Sequence, residues 1–267
     1  MIELRILGPL ALQVNGEPVP LGPSQRILLL ALLLARGPVD SARLADLVWD
    51  GVIPKGGAAT LRSHVYHLRR ALAGGAHQNE VHETLTTERL GWGFAYALQI
   101  PQERVDAARF ERLVREGRGA LSASLLGTAS MLLTEALALW RGQPLADVAD
   151  KPFAMAEVHR LQEMHRAATL ARIEADVHLG LHHEVIGELE AMHQCWPEDD
   201  VLRRLLVTCL HRAGRVAEAA RVCREGIELM LEEGLDVNSL QSLQRMILGL
   251  PLPPNLPGKG QQETAEP

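Results

Sequence analysis

The residues best suited to chemistry lie together between Ala58 and Leu72. At about 100° per residue, Leu61, Val65, Leu68 and Leu72 fall within about 60° of one another and form a core stripe. The opposite side carries Ala59, Ser63, Tyr66, His67 and Arg70. Arg62 and Arg69 lie on one flank, Thr60 and His64 on the other. This face offers three guanidinium groups, hydroxyls and imidazoles, and not one carboxylate in 15 residues. A solvated surface helix ordinarily mixes Glu with Arg. An acid-free face is what a polyanion requires, so the expected chemistry is contact with phosphates and base edges of a duplex.

Other constellations are weaker. His178 and His182 have the i,i+4 spacing of two zinc ligands on one helix, with His183 adjacent. Gly180-Leu181 turns between them, and the segment reads as the end of one repeat helix, with metal binding the much weaker alternative. Glu198-Asp199-Asp200 and Glu232-Glu233 read as solvated helix ends, or as carboxylates favouring the N-terminus of the following helix. No GxSxG, HExxH, Walker A or GxGxxG sequence occurs. The expectation is therefore no catalytic residue, no metal and no cofactor. Cys195, Cys209 and Cys223 form no CxxC pair and read as small apolar fillers.

The elements that must position the basic helix are legible around it. Ile2, Leu4 and Ile6 alternate with Glu3 and Arg5 at period two, and Leu10, Leu12 and Val14 resume the pattern after Gly8-Pro9. Asn15-Gly16 is a hairpin turn, and Pro18 and Pro20 keep the next segment at an edge. After Gly22-Pro23, Ser24 is the expected cap of a helix running to Arg36 and stopped by Gly37-Pro38. A second helix, capped by Asp40 or Ser41, carries Leu44, Leu47 and Val48. The loop Gly51 to Gly57 leads to the basic helix, which Gly74-Gly75 ends. Val81 to Thr86 and Phe94 to Ile100 then read as strands joined through Glu88-Arg89-Leu90-Gly91. Arg89 reads there as a basic wing or as part of a simple turn. Strands, three helices and a closing hairpin give the order of a winged helix-turn-helix.

From Asp106 onward the pattern is helical. Phe110, Leu113 and Val114 have helical spacing, as do Leu132, Leu133, Ala136, Leu137 and Trp140, and then Val158, Leu161, Met164, Ala168 and Ala171. Gly180 and Gly214 stand 34 residues apart, as do Leu179 and Ala213, Glu184 and Glu218, and Val185 and Ala219. A 34-residue helix–turn–helix period is that of tetratricopeptide repeats. The expected fold is mostly α: an α+β winged helix-turn-helix over residues 1–100, an all-α tetratricopeptide-like domain over 104–250, and a disordered tail over 251–267. The linker is Pro101-Gln102-Glu103, and the two domains are expected to fold separately.

Composition is that of a soluble globular protein. The 267 residues are 47% hydrophobic and 22% charged, with only four Trp, two Tyr and three Phe. So few aromatics weigh against a single-strand nucleic-acid platform. The longest apolar run, Ile27 to Ala35, is too short for a membrane span, and the N-terminus lacks the basic and apolar regions of an export signal. The expected location is the cytoplasm. The formal charge of −6 is unevenly spread. Residues 1–100 hold nine Lys/Arg against eight Asp/Glu, whereas residues 101–267 hold 18 against 25.

The ordered segments ELRILGPLALQVNGEPVPLGPSQRILLLALLLARG, SARLADLVWDGVIPKGGAATLRSHVYHLRRAL, ARFERLVREGRGAL, EALALWRGQPLADV, RIEADVHLGLHHEVIGELEAM and HRAGRVAEAARVCREGI closely resemble the SARP (antibiotic regulatory protein) family of transcriptional activators. The resemblance implies an OmpR-type winged helix followed by a bacterial transcriptional activation domain. It implies binding to direct repeats near promoters of secondary-metabolite genes, side-by-side self-association on DNA, and recruitment of RNA polymerase holoenzyme. By position it places Arg62, Ser63, Tyr66 and His67 in the major groove, Thr60, Arg69 and Arg70 near phosphates, and Arg89 in the wing. Ile53 and Lys55 occupy the loop from which OmpR-type activators touch polymerase. The usual Gly-Gly-Tyr or Gly-Tyr wing ending is replaced by Gly91-Trp92-Gly93-Phe94. Neither a receiver domain nor an ATPase extension is expected, and hence no phosphorelay control. The alternative is a helical adaptor whose winged helix mediates protein contacts.

Overall fold

The computed structural model describes residues 1–73, 84–90 and 93–250. The expected glycine stop at Gly74-Gly75, the strand start at 81–83 and the tail at 251–267 lie outside the described residues. The chain divides into two compact units, the first spanning Met1–Arg172 and the second beginning at Ile173.

The first unit opens with three antiparallel strands, β1 (Ile2–Arg5), β2 (Ala11–Val14) and β3 (Glu17–Val19), in that spatial order. Ile2 pairs with Val14 and Leu12 with Val19, so Leu4, Leu12 and Val14 are buried together. Asn15 and Gly16 both have positive φ, as a two-residue hairpin turn demands, and β3 with its Pro18 lies at the sheet edge.

Helix α1 (Pro23–Ala35) is capped by Gly22 and not by Ser24: Pro23 takes the first helical position, and Gln25 Oε1 accepts from the Gly22 amide at 2.9 Å. Five consecutive α1 residues, Leu28 to Leu32, are buried, which explains the apolar run: the helix is enclosed on all sides. Strand β4 (Val39–Asp40), absent from the sequence reading, precedes α2 (Ser41–Trp49). Asp40 caps α2 by accepting from the Ala42 amide at 2.7 Å. Helix α3 (Gly57–Ala73) follows. Strands β5 (Leu85–Leu90) and β6 (Gly93–Leu98) then complete a second sheet in the order β4-β6-β5.

The expected linker is a 3-10 turn, Gln102–Arg104, leading into α4 (Asp106–Ser122), α5 (Leu126–Leu137) and α6 (Pro152–His178). Trp140 lies beyond the end of α5, its ring edge-on to Phe110 and His165. One core joins the strands and α1–α3 to these helices, from Leu4 and Leu28 through Leu61 and Leu68 to Phe110, Leu133, Leu145 and Leu161. Polar ties accompany it. Asp106 accepts from the amides of Ile6 at 2.7 Å and Leu7 at 3.2 Å, and the Arg141 amide donates to the Leu7 carbonyl at 2.7 Å.

The second unit holds the last turns of α6, then α7 (His182–Cys195), α8 (Asp200–Arg212), α9 (Val216–Glu232) and α10 (Asn238–Ile247). The 34-residue period is repeated in its backbone. Leu179 and Ala213 donate to Ala175 and Cys209, Leu181 and Arg215 donate to Asp176 and Leu210, and Gly180 and Gly214 have φ of 87° and 78°. Each pair is offset by 34 positions. His178 therefore closes one helix and His182 opens the next.

Charge follows the units. Residues 1–172 hold 19 Lys/Arg against 17 Asp/Glu, whereas residues 173–250 hold 7 against 14. No helix among the described residues is long and apolar enough to cross a membrane.

Candidate nucleic-acid interface

Helix α3 begins where its backbone closely approaches the loop before it. Gly56 has φ of 78°, and a Cβ on Gly57 would lie 2.4 Å from Ile53 Cγ2. Two adjacent glycines thus let the preceding loop fold under the first turn. Leu61, Val65, Leu68 and Leu72 are buried, with at most 3% exposure, and fix the rotation of the helix.

That rotation leaves Thr60, Arg62, Ser63, Tyr66, His67 and Arg70 exposed along one side. Among the described residues, neither Arg62 nor Arg70 has an ion-pair partner. The Tyr66 and His67 rings meet edge to face at 5.5 Å. His64 is half-buried against Trp49, at 6.1 Å between ring centroids. Desolvation, and then the charge of His67, hold its imidazole below the ordinary range, so it is the more easily kept neutral. The exposed side of α3 presents cations, hydroxyls and one phenol, and the helix itself carries no carboxylate.

Arg69 departs from this set. Its guanidinium turns to β5, where Nε and Nη2 donate to the Leu85 carbonyl at 3.0 and 2.8 Å and Nη2 also donates to Thr87 Oγ1 at 2.6 Å. Burial lowers its pKa, while the neighbouring Tyr96 phenol opposes that shift. Arg89 stands on β5 opposite Phe94, both exposed. β5 continues through Leu90, so Glu88 and Arg89 belong to a strand and not to its turn. Pairing with Ala95 and Phe94 holds them there. Successive strand residues face opposite ways. Glu88, opposite Ala95, therefore points away from the side that Arg89 occupies.

The loop between α2 and α3 is tied at its base and bare at its tip. Asp50 and Gly51 have φ of 50° and 79°. The Asp50 carboxylate accepts from Lys151 Nζ at 2.5 Å. Val52 is 80% and Ile53 44% exposed, with Lys55 exposed beside them. The parts that sequence reasoning missed are the Lys151 tie and the Thr87 acceptor. Both are tertiary meetings of residues whose local patterns carry no sign of them.

Known proteins resemble this chain along most of its length. Residues 105–248 match the bacterial transcriptional activator domain family. Regulatory protein DnrI of Streptomyces peucetius is 32% identical over 255 residues, covering 92% of both chains. The chain belongs to the SARP family of transcriptional regulators. Regulatory protein AfsR of Streptomyces griseus is 33% identical over 251 residues, but the chain spans only 24% of its length. The solved structure of EmbR from Mycobacterium tuberculosis, in complex with a low affinity phosphopeptide, superposes with a TM-score of 0.79 at 31% identity. It is covered over 66% of its length, against 94% of this SARP-family chain.

Proposed function

We propose that this SARP-family chain is a DNA-binding transcriptional activator of secondary-metabolite genes, that it acts in the cytoplasm, and that it has no catalytic activity. The observation that carries this reading is the acid-free exposed side of α3. Six polar or cationic side chains share one surface there, over a rigid apolar stripe. A helix of this kind suits the major groove, with α2 crossing the backbone.

In this reading Arg62, Ser63, Tyr66 and His67 meet base edges, and Thr60 and Arg70 lie at phosphates. Arg89 extends from the wing on the side away from Glu88. A nearly neutral first unit neutralises about four or five phosphates per protomer, so one copy binds weakly and two on adjacent direct repeats bind far better. The acidic second unit is suited to protein contact and not to DNA. Ile53 and Lys55 touch RNA polymerase holoenzyme from a loop that α3 leaves free.

The test is a footprint on the promoters beside the chain's own gene. Protection of paired repeats on one face of the duplex is expected. Absence of protection at any concentration that saturates known activators would leave the adaptor reading in its place.

A further inference from the structure

Arg69 sits in the middle of the basic helix, yet its hydrogen bonds go to the protein. β5 is an edge strand, since the sheet order is β4-β6-β5. The Gln99 amide donates to the Thr84 carbonyl at 2.7 Å, which fixes the phase of the ladder. Antiparallel pairs alternate, so the carbonyl of the next residue, Leu85, points away from β6 to the open edge. An edge carbonyl of this kind is an orphan acceptor. Arg69 satisfies it with two donors and takes the Thr87 hydroxyl with a third bond, forming a planar fork against two points of one strand.

The geometry has a directional consequence. Side chains at Leu85, Thr87 and Arg89 share one face of the hairpin. Arg69 holds this strand by the Leu85 backbone carbonyl and the Thr87 hydroxyl, two residues before Arg89, so it fixes the line along which Arg89 projects. It also sits one residue from Arg70 and within two turns of Arg62, on a helix whose rotation the Leu61–Leu72 stripe has locked.

We infer that Arg69 is a positioning residue. It brackets the wing to the recognition helix and sets the spacing between Arg89 and the α3 cations, instead of binding phosphate itself. This rests on the DNA-binding reading of α3. A lysine could not replace it, because a single ammonium does not span the Leu85 carbonyl and the Thr87 hydroxyl in the plane that the guanidinium provides.

The probe is a 30-base-pair duplex, on the order of three helical turns, that the wild-type chain selects from a random pool. Affinity is measured across a salt series for Arg69→Met, Arg69→Lys, Thr87→Val and the Met/Val double variant, with circular dichroism confirming that each is folded. The expected result is a loss of about tenfold for Arg69→Met at every salt concentration, as one charged hydrogen-bonded pair warrants. The slope of log affinity against log salt stays that of wild type. Thr87→Val loses affinity in the same sense, the double variant is no worse than Arg69→Met alone, and Arg69→Lys does not rescue.

A slope shallower by about one, with Thr87→Val behaving as wild type, would make Arg69 a phosphate ligand and overturn the inference. Rescue by lysine would overturn it as well. A wild-type chain that selects no duplex would instead defeat the DNA-binding reading, and the bracket's role with it.

Discussion

Arg26 Nη1 lies 2.6 Å from Asp147 Oδ1, across 121 positions of sequence. The other oxygen of Asp147 accepts from the Leu10 amide, also at 2.6 Å. One carboxylate from the loop before α6 thus holds α1 and the chain between β1 and β2. Asp106 does the same for Ile6 and Leu7. These two aspartates lie outside residues 1–100 but bind backbone groups inside them.

Removing that tie has a cost that a separate winged helix would not feel. Asp147→Ala leaves the Leu10 amide without its acceptor and the Arg26 guanidinium with the Leu21 carbonyl alone, and is expected to destabilise the protein by about 1–3 kcal/mol. A fragment ending at residue 172 should unfold in urea at a clearly higher midpoint than one ending at residue 100. Equal midpoints would show that the strands and α1–α3 complete their own core.

Two glycines of the second unit should respond with opposite signs. A Cβ on Gly226 would lie 2.4 Å from Arg203 Cδ, and Arg203 is 2% exposed, held by a hydrogen bond to the Pro197 carbonyl. Gly226→Ala is expected to cost about 1–3 kcal/mol through this clash. Gly187 lies in α7 with open space beyond it, so Gly187→Ala should gain roughly 0.5–1 kcal/mol from helix propensity alone. Thermal melts of the two variants check the contrast, and a stabilised Gly226→Ala would contradict the buried path of Arg203.

The acid limb of stability divides in a similar way. Hydrogen bonding to Arg160 holds the Glu157 carboxyl below its ordinary 4.5. Its contribution is complete above that value and is lost as pH falls through the depressed one. Desolvation instead raises Asp106 above its ordinary 3.8, against the pull of the Ile6 and Leu7 amides. Its ionisation therefore costs stability as pH rises through the raised value. The advantage of wild type over Glu157→Gln should shrink on acidification below pH 4.5, and that over Asp106→Asn should shrink on raising pH above 3.8. Urea titrations at a series of pH values test this, and parallel trends for both variants would refute it.

Period and punctuation made much of this fold legible in advance. The Leu61, Val65, Leu68 and Leu72 stripe needs only helical spacing, and Asn15-Gly16 needs only its turn chemistry. Gly180 and Gly214 mark the repeat because each takes a left-handed conformation after a helix. Contacts between distant segments had no such trace. Nothing local distinguishes Arg69 from Arg62 or Arg70; only the placement of β5 turns one of the three away. Ser24 is a strong capping type, yet Gly22 caps α1 because Pro23 occupies the first helical position. Strand β4 is two residues long and exists through its partner, Val39 against Tyr96.

Activation should separate from DNA binding. Ile53 and Lys55 are exposed in a loop whose base Lys151 secures through Asp50. Lys55→Ala and Ile53→Ala are expected to bind the selected duplex as wild type does and to yield less transcript with purified polymerase. Unchanged yield from both would move the polymerase contact elsewhere on the chain.

Arg62 is the residue through which DNA reading by α3 is tested. Wild type and Arg62→Ala are each used to select duplexes from a random pool, and both chains are then titrated with the wild-type consensus across a salt series. The expected result is a defined repeat for wild type, with an affinity that falls with log salt at a slope of about −4 per protomer. Arg62→Ala should lose about 1–3 kcal/mol and relax selection at one base position. Recovery of no consensus by wild type, or the same consensus and affinity for both chains, would show that α3 does not read DNA through Arg62.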